Sequence, residues 1–518
     1  MEEKYVFGID LGTTYSCISY FDENGQAVVC QNIEGGSTTP SVVRMEPGSE
    51  PVVGITAKNT AVIYPENTIQ FVKARIGKDA SFNYGPDFSQ TTTPVEVSSE
   101  ILKKLARDAS AYTNSEVKRV VITVPAYFGD PERKATRQAG FDAGLDVLSI
   151  IEEPTAAAVY YGFTKSENSE TVVVFDLGGG TFDVTAMKIN NGKEFVTITT
   201  EGDHDLGGKN WDNALIDLVK SKFEEQTGYD GEYDSDIEQD LLIACEQAKI
   251  ILTSAEKASV TVNVDRQHKA AINVTREEFE DVTSNLLENA INLTKKVVDR
   301  ITEPVNKILL VGGSTYMPQV KAAIEREFPS FQIFINDPNE SVSKGASIFA
   351  FSQYIADVKE NEAKSGSSET VPEVTLAGYK PEIIATLGGE VPTIVTVATK
   401  SLGVGILLNG KPKINNLIMK DSALPVSVTN VYGTFEANAV NIPIKVYQVN
   451  NFEEYYDVDE DLVIGTAMLK LDGDLPAGSP IEVTLSISED GLIHVKAVDK
   501  TKNAVIEANI ENDAYTVQ

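Results

Sequence analysis

The chain has 518 residues, 42% of them hydrophobic and 23% charged; this is the balance of an ordinary soluble protein, too long for one core, and two or three domains are expected. The net charge of −33 argues against nucleic-acid binding, which needs a basic footprint, and no run of eighteen apolar residues offers a membrane span. The start, Met-Glu-Glu-Lys, passes straight into a strand without a signal-peptide layout, and Cys17, Cys30 and Cys245 are widely spaced in apolar contexts, so a cytoplasmic protein with reduced core thiols is expected. The three histidines lie far apart and suggest no zinc site.

In chain order, the first element is Tyr5-Val-Phe-Gly-Ile-Asp-Leu-Gly-Thr-Thr-Tyr-Ser16, an apolar strand ending in Asp10, a Gly/Thr turn, then a second alternating strand. A turn without Cβ bulk, rich in free N–H groups and hydroxyls, lets a phosphate approach the main chain closely. Residues 71–77 follow, with Lys73 among apolar neighbours where its cation could face a phosphate; a plain surface lysine is the alternative. Residues 117–124 read as a strand ending at Pro125. Residues 150–158 place Glu152 and Glu153 before a proline-started helix, where capping is the simpler role.

The segment Val172-Val-Val-Phe-Asp-Leu-Gly-Gly-Gly-Thr-Phe-Asp183 then repeats the first hairpin. One such copy is an ordinary turn. Two copies in matching order predict a pair of hairpins clamping one polyphosphate, with Asp10 and Asp176 holding Mg²⁺ through its water shell. Residues 236–254 read as a helix with Glu246 and Lys249 three apart on one face, for which an exposed ion pair is the alternative. Residues 308–318 form a strand running into a glycine turn, where bare backbone could pass under a flat ring such as adenine. Alternating strands and helices up to residue 357 predict an α/β architecture, and one hairpin per half predicts a duplicated fold with its ligand cleft between two lobes.

Residues 358–392 are expected to be a polar flexible linker: residues 359–370 are rich in Gly, Ser and charge, and Pro372, Pro381 and Pro392 follow. Residues 393–398 are a short apolar run, either a strand or a docking segment. From 400 to 518 helical periodicity is lost, and the second domain is expected to span 393–518. Ile442-Pro-Ile-Lys-Val-Tyr447, Ile481-Glu-Val-Thr-Leu-Ser-Ile487 and Leu492-Ile-His-Val-Lys-Ala-Val498 alternate at period two, with turn signals at Asp472-Gly473 and Asp490-Gly491 and a last strand at 504–510. An all-β sandwich is expected, with the acidic cluster 453–461 on a solvated loop.

Taken together and in this order, the motifs resemble the Hsp70 (DnaK-like) chaperone family over nearly the whole chain. The matches run through residues 8–16, the Lys73 segment, 124–130, 150–158, 176–183, 202–208, 245–253 and 311–318, then 401–403, 417–425, 480–484 and 490–500. The resemblance implies a duplicated actin-like (ribonuclease H-like) two-lobed ATPase domain at 1–357 followed by a β-sandwich peptide-binding domain. It implies that Lys73, Glu153, Asp176 and Thr181 serve catalysis and that Asp10 and Asp176 organise Mg²⁺. Thr13, Thr14, Gly178, Gly179, Gly180 and Thr181 would hold the phosphates of ATP or ADP, with Gly12 and Tyr15 also in the nucleotide site and K⁺ a further candidate cation. Glu246, Lys249, Thr253, Gly312, Gly313, Ser314, Tyr316 and Asn339 would hold the nucleoside. Pro125 and Arg133 would relay the nucleotide state, and Phe435 and Ile442 would contact peptide. The implied partners are unfolded polypeptide segments, a J-domain co-chaperone and a nucleotide exchange factor, acting on a monomer without nucleic acid or membrane.

Departures from the family pattern are as informative. Tyr316 and Ile250 stand where arginines are usual, Ala74 follows Lys73, and Ser149 and Glu152 replace residues near the J-domain contact. Phe435 replaces a small residue that arches over peptide, and a helical lid after the β-domain is not expected in this chain. Ala74, Ser149 and the altered linker, whose nearest equivalent is residues 393–398, favour a second reading, a nucleotide-binding regulatory or scaffold protein with little hydrolysis, which the intact Asp10, Lys73, Glu153, Asp176 and Thr181 oppose. Actin-like polymers and sugar kinases share the hairpins, but the appended β-domain disfavours both.

Overall fold

The computed structural model describes residues 3–165, 169–305, 307–335, 337–365, 379–380, 391–471, 473, 475–488, 491–501 and 505–509. The chain divides into two compact units, one made of residues 1–127, 135–195 and 201–393, the other of residues 128–134, 196–200 and 394–518.

The first unit carries two large sheets with one plan. In the first, strands run in the order Asp146–Glu152, Arg119–Val124, Phe7–Asp10, Tyr15–Phe21, Ala27–Val29; in the second, Gln332–Ile335, Lys307–Val311, Glu170–Leu177, Phe182–Asn190, Glu194–Asp203. Each central strand pairs in parallel on one side and forms an antiparallel hairpin on the other. Parallel neighbours need a crossover, and helices supply it. Seven of the eight residues of Glu170–Leu177 are buried, as a strand covered on both faces requires. Helix Ser341–Ser365 crosses the first sheet so closely that a Cβ on Gly8 would meet the Ser347 amide nitrogen at 2.1 Å.

That helix corrects one expectation. It continues to Ser365, so the first part of the segment read as flexible linker is helical. Tyr379, in the same segment, is buried in the first unit: its hydroxyl donates to the Phe21 carbonyl at 2.8 Å and its ring stacks on Phe351 at 4.5 Å. Its burial among aromatic rings outweighs the polar composition around it. Residues 366–378 and 381–390 of the expected linker, including Pro372 and Pro381, lie outside the described residues, as do Asp472, Asp490, Ala504 and Ile510.

In the second unit, a five-stranded and a four-stranded antiparallel sheet share one core. Leu402, Val404, Ile444 and Val446 of one sheet meet Ile481, Val483, Leu485 and Val495 of the other, the alternating inward faces of a sandwich. Strand Asn441–Val449 also buries its reverse side, where Tyr447 and Val449 pack with Ile414 under Val458 and Leu462. The acidic cluster is therefore not a simple solvated loop: Tyr455–Asp457 pairs as a strand with Lys411–Ile418, while Val458 and Leu462 cover apolar surface. Residues Thr393–Val395 form a strand.

Candidate functional site

The two hairpin turns of the first unit meet across a cavity of about 370 Å³. Asp10, Gly12, Thr13, Thr14 and Tyr15 line it from the first copy; Asp176, Gly178, Gly179 and Thr181 line it from the second. Their approach is very close: a Cβ on Gly179 would lie 1.8 Å from the Thr14 hydroxyl oxygen, so only glycine fits there. Gly180 does not line the cavity but packs on Thr13 and Gly207. The Thr14 hydroxyl is buried with no hydrogen-bond partner among the described residues, an unmet demand that a ligand oxygen would satisfy.

Lys73 and Glu153 also line the cavity and form a buried ion pair with one another. Glu153 opens helix Glu153–Lys165, and Lys73 sits in a short 3-10 turn, Val72–Arg75. Lys73 is thus neither a plain surface cation nor Glu153 a mere cap. Burial, and then the nearby Glu153 charge, pushes Asp10 up to about 7 and holds Asp176 well above the usual carboxylate range. Asp183 is raised for the same reasons. Sequence reading passed over this residue, which faces Asp176 across the hairpin where the first copy sets Cys17 opposite Asp10. Among the described residues no group of three His, Cys, Asp or Glu side chains is arranged to hold a metal by itself. Mg²⁺ fits such a place, since it takes most ligands from water and phosphate and would relieve the buried carboxylates.

The far wall is built from helix Ser235–Ser254 and the turn after strand Lys307–Val311. Lys249, Thr253, Gly313, Ser314, Tyr316 and Asn339 line it, together with Glu246 and Gly312. Gly312 has φ of 82°, and a Cβ there would strike the Leu177 carbonyl oxygen at 2.3 Å. The Ser314 hydroxyl donates to the Gly178 carbonyl at 2.9 Å, which ties this turn to the second hairpin. Ile250 and Tyr316 are both half exposed in the cavity, an apolar side chain and an aromatic ring suited to a planar base.

Glu246 and Lys249 do not form the exposed pair that their spacing allows. Glu246 instead pairs with Lys58 and accepts the Tyr15 hydroxyl at 3.0 Å, while Lys58 donates to the Tyr15 oxygen at 2.7 Å. Lys249 lies 2.8 Å from the Asp212 carboxylate and donates to the Gly208 carbonyl at 3.1 Å. Lys58 and Asp212 carry no local signal; only the closure of the fold brings them here.

The remaining expected residues lie elsewhere. Pro125 is buried just beyond strand Arg119–Val124, and Arg133 is buried with its Nε donating to the Phe128 carbonyl at 3.1 Å. In the second unit Phe435 is 74% exposed, whereas Ile442 is partly buried against the sandwich core.

A family model described as Hsp70 protein matches residues 6–360 and 383–517, and the unmatched interval contains Tyr379. The chain is 34% identical to the chaperone protein DnaK of Thermosipho africanus over 96% of its own length and 78% of that protein's. It is 34% identical to the DnaK of Halobacterium salinarum, covering 99% of this chain and 76% of the relative. The DnaK of Thermosipho melanesiensis matches at the same identity over 96% and 78%. With this match spanning both the paired hairpins and the sandwich, the chain belongs to the Hsp70 family.

Proposed function

We infer that this protein is an ATP-dependent chaperone that hydrolyses ATP to ADP and phosphate and binds extended apolar segments of unfolded proteins. The observation that carries the reading is the meeting of two Gly/Thr turns around the Lys73–Glu153 pair, in a chain that belongs to the Hsp70 family. The like plan of the two sheets supports a duplicated, actin-like pair of lobes.

The turns offer backbone N–H groups and the Thr13, Thr14 and Thr181 hydroxyls to phosphate oxygens. Asp10 and Asp176 would hold Mg²⁺ through its waters, and the ion would supply charge neutralisation at the phosphates. Lys73 offsets negative charge, and Glu153, fixed by Lys73, orients water; positioning and electrostatics suffice for phosphoryl transfer. Ile250 and Tyr316 flank the base, and Gly313 and Asn339 complete its slot.

The β-sandwich unit would take peptide at a surface that includes Phe435 and Ile442, using strand-like backbone bonds and apolar contacts. Nucleotide state and peptide affinity would be coupled, with Pro125 and Arg133 as relay; about 1–3 kcal/mol is enough. A J-domain protein and an exchange factor are the expected partners, K⁺ a further cation, and the monomer the working form.

The test is steady-state ATP turnover by the full chain with and without a panel of apolar peptides, with Lys73→Ala as control. Slow turnover raised by peptide is expected. Turnover indifferent to saturating peptide contradicts coupling, and tight nucleotide binding with no hydrolysis favours the regulatory alternative.

A further inference from the structure

Among the described residues four lysines line the cavity, and one of them is held differently from the rest. Lys58, Lys73 and Lys249 are paired with Glu246, Glu153 and Asp212, carboxylates whose side chains are only about a tenth exposed. Lys209 is paired at 2.6 Å with Asp205, whose side chain is 71% exposed. A buried pair resists separation because each charge left behind is desolvated, whereas an exposed pair separates at little cost.

Lys209 also occupies an unusual position in its helix. It is the second residue of Gly208–Thr227, whose first turn holds no acidic residue. A cation there opposes the helix dipole, which favours negative charge at this end. The same end adjoins the second Gly/Thr turn: the Gly208 N–H donates to the Gly178 carbonyl at 2.9 Å and the Lys209 N–H to the Gly179 carbonyl at 2.8 Å. The lysine is thus anchored through its backbone beside the turn, while among the described residues its ammonium is held by the solvent-exposed Asp205.

We propose that Lys209 is a phosphate-binding residue of the cleft, its ammonium leaving Asp205 for a phosphate oxygen of the bound nucleotide. The proposal rests on the reading that the cleft takes ATP. An exposed carboxylate surrenders the ammonium readily, and a phosphate oxygen inside the cleft forms a charge-assisted bond about twice as strong as a neutral one.

The experiment is calorimetric titration of the full chain with ATP, ADP, AMP and adenosine, using Lys209→Gln, Lys209→Arg and Asp205→Asn, each checked for an unchanged unfolding temperature. Lys209→Gln should weaken ATP about tenfold and leave adenosine within about twofold. It should also flatten the dependence of ATP affinity on salt. Lys209→Arg should retain most of the affinity, and Asp205→Asn should tighten ATP by releasing the ammonium. Equal losses for ATP and adenosine, an unaltered ATP affinity in Lys209→Gln, or a loss in Asp205→Asn matching that of Lys209→Gln would each overturn the proposal. Failure of the unaltered chain to bind any of the four ligands would instead remove the nucleotide reading itself.

Discussion

Lys73 and Glu153 are 80 residues apart in the chain, yet form one buried pair. Truncating either leaves the other charge desolvated and alone, which usually costs more than the pair contributes. Lys73→Ala should therefore reduce single-turnover hydrolysis by about 10²-fold or more while ADP still binds, since the turns and the proposed base slot are untouched. Quenched-flow assay and ADP titration separate the two effects; loss of binding equal to loss of rate would assign Lys73 to affinity instead.

The cysteines test burial at the same scale. Burial pushes the Cys17 and Cys245 thiols up to about 12, and that of Cys30 higher than its usual value. A raised thiol pKa means the folded state keeps protons that the unfolded chain loses above about pH 8.5. Stability should thus fall, not rise, as pH increases from 8 toward 11, and iodoacetamide at pH 8 should label the thiols only in denaturant. Rapid labelling of native protein would contradict this.

Among elements, helix Ser341–Ser365 depends on small residues at its crossings. A Cβ on Gly345 would lie 1.7 Å from the Ala156 carbonyl oxygen, a backbone atom that cannot swing aside. Gly345→Ala should separate this helix from Glu153–Lys165, lower stability by about 2 kcal/mol or more, and shift Glu153 from Lys73. Thermal unfolding and turnover report the two consequences. Tyr379 works at the same scale. Its removal by Tyr379→Ala forfeits a buried ring and its bond to Phe21, so about 3 kcal/mol of local stability should be lost, read as faster protease cleavage near that residue.

For the molecule as a whole, ligand linkage distinguishes the two units. Nucleotide that binds only the folded first unit stabilises it by about 2.7 kcal/mol at a concentration of 100 Kd. Calorimetry with ATP should raise the unfolding transition of the first unit by more than any shift in that of the β-sandwich, which receives only the coupling free energy; a multi-domain chain need not unfold in one step. Acidic composition and alternation were legible at this scale, and so was the succession of an α/β unit by a sandwich. The start of the linker was not, because helix Ser341–Ser365 is stabilised by what it packs upon and runs on into a segment whose composition is polar.

The sequence alone determined what local chemistry decides: both Gly/Thr hairpins, their terminal aspartates, and the period-two strands of the second unit, since turn geometry and alternation act over a few residues. It also marked Lys73, Glu153, Glu246 and Lys249 as notable without fixing their partners. The tertiary structure decided those. Lys58 meets Glu246 across 188 residues, Lys249 meets Asp212, and Tyr379 enters an aromatic cluster with Phe351. Such pairings depend on which faces the two sheets turn toward one cavity and on how much water closure excludes, and neither is encoded in any single stretch of chain.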